Sequence, residues 1–486
     1  MPPTSSWRRR LLRAAGVLAL AVVLLSMTVT IAVWWMLQRP TLVQVHPEHA
    51  ETFRIADVQV VDVDSGTASG PKHVDVQDGV IIGIWPADHP PAAPATVIDG
   101  AGRWLVPGLI DAHCHVMADA TPPWIERLPD PQLSFERLLY SGVTRVFDPG
   151  SAVPIIFDLR EELNSGRRLG PSLHAAGPVF TAVGGHPVPM VRLMAPPIVR
   201  DLGIAAMIRQ IDSVQTARTE VAELAPARPD FIKMAIDHLP LDAPLLSADL
   251  AEAIVQAADA HDLQTVAHIG TTHDAFVAAD AGAVAWIHGI YKEEVSVDNA
   301  EKLAGYGIPM IPTMVVFRAY GEMARGDYPA TPLETEVMAA EDLAARGDPE
   351  GSKDPPDNLR EYIAHIRAHR QTALDNVARL HAAGVTILAG SDAQSGVISG
   401  PALHRELALM HRTGMSPAEV LRSATLHNAR FLSGQADPPY GEVAVGKRAD
   451  LVLLRADPLE DPAALSEIDD VFTAGRRLLR TPWPQE

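Results

Sequence analysis

Between residues 108 and 435 the chain repeats one pattern, in which a short apolar run precedes a segment with helical periodicity. In chain order the apolar runs are GLIDAHCHV, VTRVFD, SLHAAGPVF, DFIKMAI, LQTVAHI, AVAWIHG, IPMIPTM and VTILAGSD. Strands that alternate with helices pair in parallel, and eight such units over about 300 residues are the usual size of a closed barrel. The pattern therefore predicts an α/β fold with a (β/α)8 TIM barrel at 108–435.

A long insertion separates the seventh apolar run from the eighth. The stretch from Arg318 to Tyr362 is rich in proline, glycine and charged residues. Loops at the carboxyl ends of barrel strands commonly shape the substrate pocket. We expect a partly helical lid at about 318–362, with a solvated insertion that has no function as the alternative.

Both ends of the chain outside this region have the character of short strands. Phe53 to Ile84 alternates apolar and polar residues between turn signals, and Ala449 to Arg480 has the same pattern. We expect these stretches to form one small β-sandwich domain, whose two parts are 41–107 and 436–486.

The first forty residues have a different composition. Ala14 to Leu37 contains no charged residue, and an arginine cluster at 8–13 precedes it. A helix of this length spans ~36 Å, enough for a ~30 Å hydrocarbon core, and it is longer than the usual core of a cleaved signal peptide. The uncharged stretch and the arginines before it therefore predict that residues 1–40 form an uncleaved transmembrane anchor. Because arginines remain on the cytoplasmic side, the catalytic domain would lie outside the cytoplasm.

Charge and cysteine content exclude two classes of protein. The formal net charge of −20 is opposite to that of a nucleic-acid-binding surface, so no nucleic-acid partner is expected. The single cysteine cannot form an internal disulfide, which excludes a disulfide-stabilised scaffold.

Polar residues of metal-ligand type recur at the ends of the predicted strands. His113 and His115 lie two positions apart, so both side chains point to the same face of a strand. Lys233 lies inside an apolar run, where a lysine must be neutralised, paired or chemically modified. The other candidates are His268, His288 and Asp392. Strand ends in a barrel converge on one face, and this convergence predicts a metal site there.

The motifs PGLIDAHCH, FIKMAID, AHIG, WIHG, LAGSDA and GKRADLVLL together resemble those of the amidohydrolase superfamily. The resemblance extends from about Phe53 to Arg480. It is closest to the branch that contains imidazolonepropionase-like proteins and metal-dependent Xaa-Pro dipeptidases (prolidases).

This resemblance implies a site with two divalent ions. The more buried ion would be held by His113, His115 and Asp392. The second ion would be held by His268 and His288. Zinc is the favoured ion because imidazole and carboxylate ligands suit it, and manganese or cobalt can take its place.

The resemblance also implies that Lys233 is carboxylated on its amine and bridges the two ions. If Lys233 is unmodified, a site with a single ion is the alternative. In the two-ion site, a hydroxide bridging the ions would attack an amide carbonyl. Asp392 would accept its proton and pass it to the departing amine. His186, in a Gly-Gly-His loop, would donate to the carbonyl oxygen, and Tyr291 would hold the substrate's carboxylate or main-chain amide.

The sequence therefore favours a membrane-anchored, metal-dependent amidohydrolase that cleaves a C–N bond of a small peptide-like or dipeptide-like substrate. A dipeptidase or carboxypeptidase is the most specific hypothesis. A cyclic-amide hydrolase of hydantoinase or imidazolonepropionase type is the alternative within enzymes. A catalytically silent barrel that acts as a binding protein is the alternative of another class. A homo-oligomer is left open.

Overall fold

The computed structural model describes most of the chain. The described residues are 16–17, 19–21, 23–28, 30, 39–88, 90–118, 120–121, 129–195, 198–239, 242–323, 328–347, 357–394 and 396–485. The chain divides into two compact units, Met1–Thr41 and Leu42–Glu486.

The predicted membrane anchor needs correction. A search of the described residues finds no helix with both the length and the apolar character to cross a membrane. The predicted membrane location, with an extracytoplasmic catalytic domain, is therefore wrong on this evidence. The arginine cluster at 8–13 and residues 31–38 lie outside the described part.

The strands, in chain order, are β1 (Val43–Val45), β2 (Thr52–Asp62), β3 (Thr67–Gln77), β4 (Val80–Pro86), β5 (Thr96–Asp99), β6 (Trp104–Pro107), β7 (Leu109–Asp111), β8 (Val143–Asp148), β9 (Ser172–Ala175), β10 (Val179–Ala182), β11 (Ile208–Ile211), β12 (Ile232–Ala235), β13 (Thr265–His268), β14 (Ala285–Ile287), β15 (Met310–Ile311), β16 (Leu451–Leu454), β17 (Ile468–Thr473) and β18 (Arg476–Arg480).

The α-helices of the second unit are α1 (Pro131–Tyr140), α2 (Ile155–Asn164), α3 (Val188–Met194), α4 (Arg200–Met207), α5 (Val214–Leu224), α6 (Ala248–Asp259), α7 (Thr272–Ala281), α8 (Val297–Ala304), α9 (Met314–Met323), α10 (Pro332–Val337), α11 (Ala340–Gly347), α12 (Asp357–Ala382), α13 (Pro401–Arg412), α14 (Pro417–Arg422) and α15 (Asn428–Ser433).

Strands from both ends of the chain form one nine-stranded sheet. Its order is β1-β18-β17-β16-β6-β2-β3-β4, and β5 pairs with β2. Successive residues of β16 point to opposite faces, so Leu451 and Leu453 pack into the core of this sheet while Val452 and Leu454 join the main core. The ends thus share one sheet, whereas the domain bounds at 107 and 436 remain a prediction.

Parallel strands form the rest of the second unit. β7, β8 and β9 pair in parallel, and so do β10, β12, β13, β14 and β15. The last apolar run lies between the seventh and the first, because Ile387 forms a parallel bridge with Met310 and Ala393 forms one with Cys114. The predicted α/β fold with parallel strands is confirmed.

The described part of the predicted lid is largely helical. Helices α9, α10, α11 and the start of α12 cover it, and residues 324–327 and 348–356 lie outside the described chain. Arg405 of α13 forms an ion pair with the buried Glu334 of α10 at 2.6 Å. This pair ties α10 to α13, the helix that follows the eighth apolar run.

Glu406, the next residue of α13, caps the start of α9. Its Oε2 accepts a hydrogen bond from the backbone N–H of Val315 at 2.7 Å, and its Oε1 has no partner among the described residues. The side chain is fully buried, and this burial raises its pKa from 4.5 to about 8, although backbone N–H groups of α9 oppose the shift. A buried carboxyl group therefore holds the start of α9 in place.

We predict that Glu406 makes the fold less stable as the pH rises. Since its pKa is higher in the folded state, the folded chain binds more protons, and stability falls between pH 4.5 and about 8. Urea unfolding at pH 5 and pH 8 should show that Glu406→Gln reduces this fall by roughly 2–4 kcal/mol. Glu223→Gln, at an exposed position, should not change it. Equal pH dependence in wild type and Glu406→Gln would contradict the prediction.

Candidate metal centre

Five of the six predicted ligands lie at or just beyond the carboxyl ends of the parallel segments, and Lys233 lies within a strand. His113 and His115 follow β7, Lys233 lies in β12, and His268 ends β13. His288 directly follows β14, and Asp392 follows the bridged residues of the last apolar run. All six line the same cavity, together with His186 and Tyr291. The convergence predicted from the sequence is therefore present in the structure.

His113, His115 and Asp392 form a cluster in which His113 and Asp392 are buried and His115 is half-buried. The Nε2 atoms of both histidines lie 3.2 Å from Asp392 Oδ1. The angles of both contacts lie outside the range of a hydrogen bond. This oxygen therefore has no hydrogen-bond partner among the described residues. One ligand atom from each residue lies within 4.8 Å of the others. Two imidazole nitrogens and an unsatisfied carboxylate oxygen are a donor set that fits a divalent ion.

His268 and His288 form a second pair beside this cluster. Their ring centroids are 4.1 Å apart, and the ring of His288 lies 4.8 Å from that of His113. His288 Nδ1 bonds to Thr313 Oγ1 at 2.7 Å, and His268 Nε2 bonds to Asp237 Oδ2 at 3.1 Å. Each imidazole is thus fixed through one nitrogen, which leaves the other nitrogen for a ligand.

Burial keeps most of these imidazoles in the neutral form that binds metals. It lowers the pKa of His113 to about 4 and holds the pKa values of His268 and His288 well below 6.5. Burial raises the pKa of Asp392, but the adjacent His113 and His115 outweigh it and hold this pKa well below its ordinary value. The centre therefore offers neutral nitrogens at His113, His268 and His288 and an ionised carboxylate. At His115 burial lowers the pKa, but the adjacent Asp392 outweighs it and raises this pKa above 6.5.

Lys233 is buried at the floor of the cavity. Its side chain is 4% exposed, and within the described chain no ion pair to its Nζ is found. Burial lowers the pKa of Lys233 from 10.5 to about 7, although the charge of Asp392 opposes the shift. Near neutral pH a large fraction of this amine is uncharged and therefore nucleophilic.

Two ligand-bearing residues have strained backbones. His288 has a φ of 66° and Asp392 a φ of 49°, and Thr313, which holds His288, has a φ of 48°. Left-handed backbone at non-glycine residues costs about 1–3 kcal/mol and is concentrated at functional sites. His288 and Asp392 both line the cavity, so these strained positions coincide with the candidate site.

His186 lies in the turn between β10 and α3, with its ring centroid 4.6 Å from that of His268. Its Nδ1 lies 3.1 Å from the carbonyl oxygen of Leu239, and since a carbonyl only accepts, Nδ1 carries the proton. Burial lowers the pKa of His186 to about 4. In the neutral imidazole Nε2 is therefore an acceptor, and the predicted donation to a carbonyl oxygen requires the doubly protonated form.

Tyr291, which the sequence predicts to hold the substrate, also lines the cavity. Its ring packs on Phe317 with a centroid distance of 4.8 Å, and its hydroxyl donates to Asp237 Oδ2 at 3.1 Å. The hydroxyl proton is thus engaged within the protein, and a substrate carboxylate would have to displace Asp237 to receive it.

Asp237 is a functional residue that the sequence analysis missed. Its fully buried side chain accepts hydrogen bonds from His268 and Tyr291 and forms an ion pair with Lys292. Gly270 makes room for it, since a Cβ there would lie 2.5 Å from Asp237 Oδ1. The signal was present in FIKMAID, because residues four apart in an extended segment share a face and Asp237 follows Lys233 by four.

Two further buried carboxylates position the first cluster. Asp111 accepts hydrogen bonds from the backbone N–H groups of His113 and Ser391, at 3.1 and 2.9 Å, and so joins the first strand to the last. Asp148 accepts from the N–H of Val116 at 3.0 Å. Both acids end or lie within strands, where the sequence offers no spacing that distinguishes them.

A family model described as "Amidohydrolase family" matches residues 104–478. The chain belongs to the amidohydrolase family. It is 26% identical over 423 residues to an imidazolonepropionase of Pseudomonas aeruginosa, across 83% of this chain and 92% of that protein. It is therefore a hydrolase that acts on carbon–nitrogen bonds of amide, peptide or cyclic-amide substrates.

Solved structures agree with this assignment. A putative prolidase from Bifidobacterium longum superposes with a TM-score of 0.66 at 25% identity, covering 90% of this chain and 97% of that one. A Xaa-Pro dipeptidase with bound methionine shares the fold, with a TM-score of 0.70, 20% identity, and coverage of 88% and 99%. The predicted branch of imidazolonepropionase-like proteins and prolidases is confirmed, and binding of divalent metals is typical of this family.

We predict that Asp237→Asn weakens metal binding at the second pair of histidines. The substitution removes the charge that fixes His268 through Nε2, and loss of such a contact typically costs 10–100-fold in metal affinity. Competition with a chelator measures this affinity directly. Asp280→Asn, which changes a carboxylate bonded to Tyr306 at the surface, should leave it unchanged. Equal affinity in wild type and Asp237→Asn would contradict the positioning role.

Proposed function

We propose that this chain hydrolyses an amide bond of a small peptide-like molecule, using two divalent ions held at the cavity floor. The observation that carries the proposal is the buried Asp392 Oδ1, which lies 3.2 Å from two imidazole nitrogens and has no hydrogen-bond partner among the described residues. An ionised oxygen in this position is costly unless a cation completes its coordination. The donor set therefore favours a metal centre over a silent binding protein.

We also infer that the parallel strands constitute the predicted (β/α)8 TIM barrel. The backbone N–H of Asp230 donates to Ala175 O at 2.9 Å, which links β9 to the residues just before β12. Together with the bridges of Ile387 and Ala393, this contact supports a continuous ring of eight parallel segments. In such a ring every ligand reaches the same carboxyl-terminal face.

The ligands divide into two groups. His113, His115 and Asp392 would hold the more buried ion. His268, through Nδ1, and His288, through Nε2, would hold the second, because their other nitrogens are already bonded. Zinc suits these donors, and manganese or cobalt can replace it.

Lys233 would bridge the two ions as a carbamate. Its neutral amine nitrogen attacks the carbon of dissolved carbon dioxide, forming an N–C bond and releasing one proton to solvent. The lowered pKa of about 7 supports this step, since the neutral amine is abundant near pH 7. The carbamate thus replaces a buried ammonium group with two oxygen atoms that can act as metal ligands.

When bound, the ions would lower the pKa of water and polarise the scissile carbonyl. Asp392 would accept the proton released from water and deliver it to the departing amine nitrogen. His186 is more suitably placed as an acceptor for the substrate's amide N–H than as a donor, because its Nδ1 proton is held by Leu239. Donation by His186 to the substrate's carbonyl oxygen therefore remains a prediction for the imidazolium form.

A metal-loaded sample assayed against linear and cyclic amides tests the function. Turnover of N-acyl amides and dipeptide derivatives is the expected result. A cyclic-amide hydrolase is the second candidate, favoured by the 26% identity to an imidazolonepropionase, and turnover of cyclic amides alone would select it. No turnover of either class with metal content confirmed would contradict both.

We predict that Lys233→Ala lowers kcat by at least about 100-fold and reduces bound metal from two ions towards one, because the bridge is lost. Added acetate should restore part of the activity, since a small carboxylate fits the space left by the carbamate. Lys302→Ala, at an exposed position of α8, is the matched control. Unchanged metal content and activity in Lys233→Ala would show that the bridging role is wrong.

A further inference from the structure

The ligands line the floor of a cavity of about 430 Å³, a volume typical of sites for small organic molecules. Above the floor, two walls of the cavity come from distant parts of the ring. One wall follows β10 and the other follows β15, and these strands are four positions apart in the parallel order. Because four positions are half of an eight-membered ring, the two walls face each other across the metal centre.

The first wall is apolar. Met190 and Val191 of α3, Met207 of α4 and Val179 of β10 contribute to it. These side chains are buried or half-buried with the cavity as their open side.

The opposite wall is mostly apolar. Val316, Phe317 and Tyr320 of α9 line it, with Ile366 of α12 beside them. The hydroxyl of Tyr320 is the one polar side-chain group of these four residues. Phe317 and Tyr320 are each 3% exposed, so their packing is dense and their positions are fixed. A substrate group on either side of the scissile bond therefore meets carbon surface.

Three polar side chains of the lining, none of them itself a predicted metal ligand, already have a hydrogen-bond partner. Gln394 Nε2 donates to Asp392 at 2.9 Å, Ser151 Oγ donates to Asp148 at 2.8 Å, and the Tyr291 hydroxyl donates to Asp237 at 3.1 Å. Among the described lining residues Lys233 is the one lysine or arginine, and it lies at the floor. The described walls of the cavity therefore offer no cationic side chain to a free substrate carboxylate.

We propose that the preferred substrate is an uncharged amide that carries an apolar group on each side of the scissile bond. This proposal rests on the proposed function and narrows it to peptide-like amides without a free carboxylate. Transfer of each additional methylene from water to an apolar wall is worth about a fourfold gain in kcat/KM. A terminal carboxylate placed against the same wall must lose its hydration without a partner.

Two series of N-alkyl alkanamides test this preference on the metal-loaded protein, with the acyl chain lengthened in one series and the amine chain in the other. We expect kcat/KM to rise about fourfold per methylene from acetyl to hexanoyl, and likewise along the amine series. The succinyl analogue should react roughly 30-fold or more slowly than the butanoyl amide. Flat series, or a faster succinyl amide, would overturn the proposal.

Met207→Asp places a charge on the first wall. This substitution should abolish the gain in kcat/KM per methylene in one of the two series. Met207→Arg should raise kcat/KM for the succinyl amide relative to kcat/KM for the butanoyl amide. Both readouts are ratios within one protein, so partial misfolding does not mimic them. Leu202→Asp is the matched control, since this residue of the same helix is 73% exposed and should leave every ratio unchanged. Ratios in Met207→Asp and Met207→Arg that equal those of the wild type would overturn the proposal.

Binding separates this proposal from the proposed function. Chelator-stripped protein cannot supply the metals, yet its walls should still bind N-butyl hexanamide at least about tenfold more tightly than N-butyl succinamic acid in calorimetry. If the metal-loaded protein hydrolyses no amide but the stripped protein shows this binding preference, the function fails and the apolar specificity stands. If amides are hydrolysed without any preference in rate or binding, the specificity fails and the function stands.

Discussion

Backbone hydrogen bonds between the first and the last parallel segments determine the geometry of the whole centre. The N–H of Asp392 donates to His113 O at 2.7 Å, and the N–H of His115 donates to Ala393 O at 2.9 Å. The Asp111 carboxylate strengthens this junction, because it accepts hydrogen bonds from backbone N–H groups of both segments. These bonds bring together residues that are about 280 positions apart, and the remaining ligands follow from the parallel register of the strands between them.

The periodicity of the sequence was sufficient to predict the parallel strands and the convergence of the six candidate ligand residues on one cavity. VTRVFD coincides with β8, and the runs that contain Lys233 and His268 became β12 and β13. Apolar patterning predicts these elements because their side chains are buried on both faces. The third run divided into β9 and β10, and the eighth formed only isolated bridges, since strand ends depend on tertiary pairing that a local pattern does not encode.

The roles of individual polar atoms could not be obtained from residue type and spacing. Asp237 holds His268, Tyr291 and Lys292 together, and this arrangement depends on a loop conformation that Gly270 permits. The Leu239 carbonyl fixes the tautomer of His186 in the same way. The membrane anchor failed for a different reason, because an uncharged stretch is a compositional signal and the described residues contain no helix that could span a bilayer.

The number of ions that the chain binds tests the central claim most directly. Protein stripped with a chelator and titrated with zinc should reach a plateau at two ions per chain by elemental analysis. Substitution of Asp392 by alanine should remove the tighter of the two, because its free oxygen belongs to that ligand group. A wild-type plateau at one ion or none would contradict the account, since the six converging side chains would then not hold two ions.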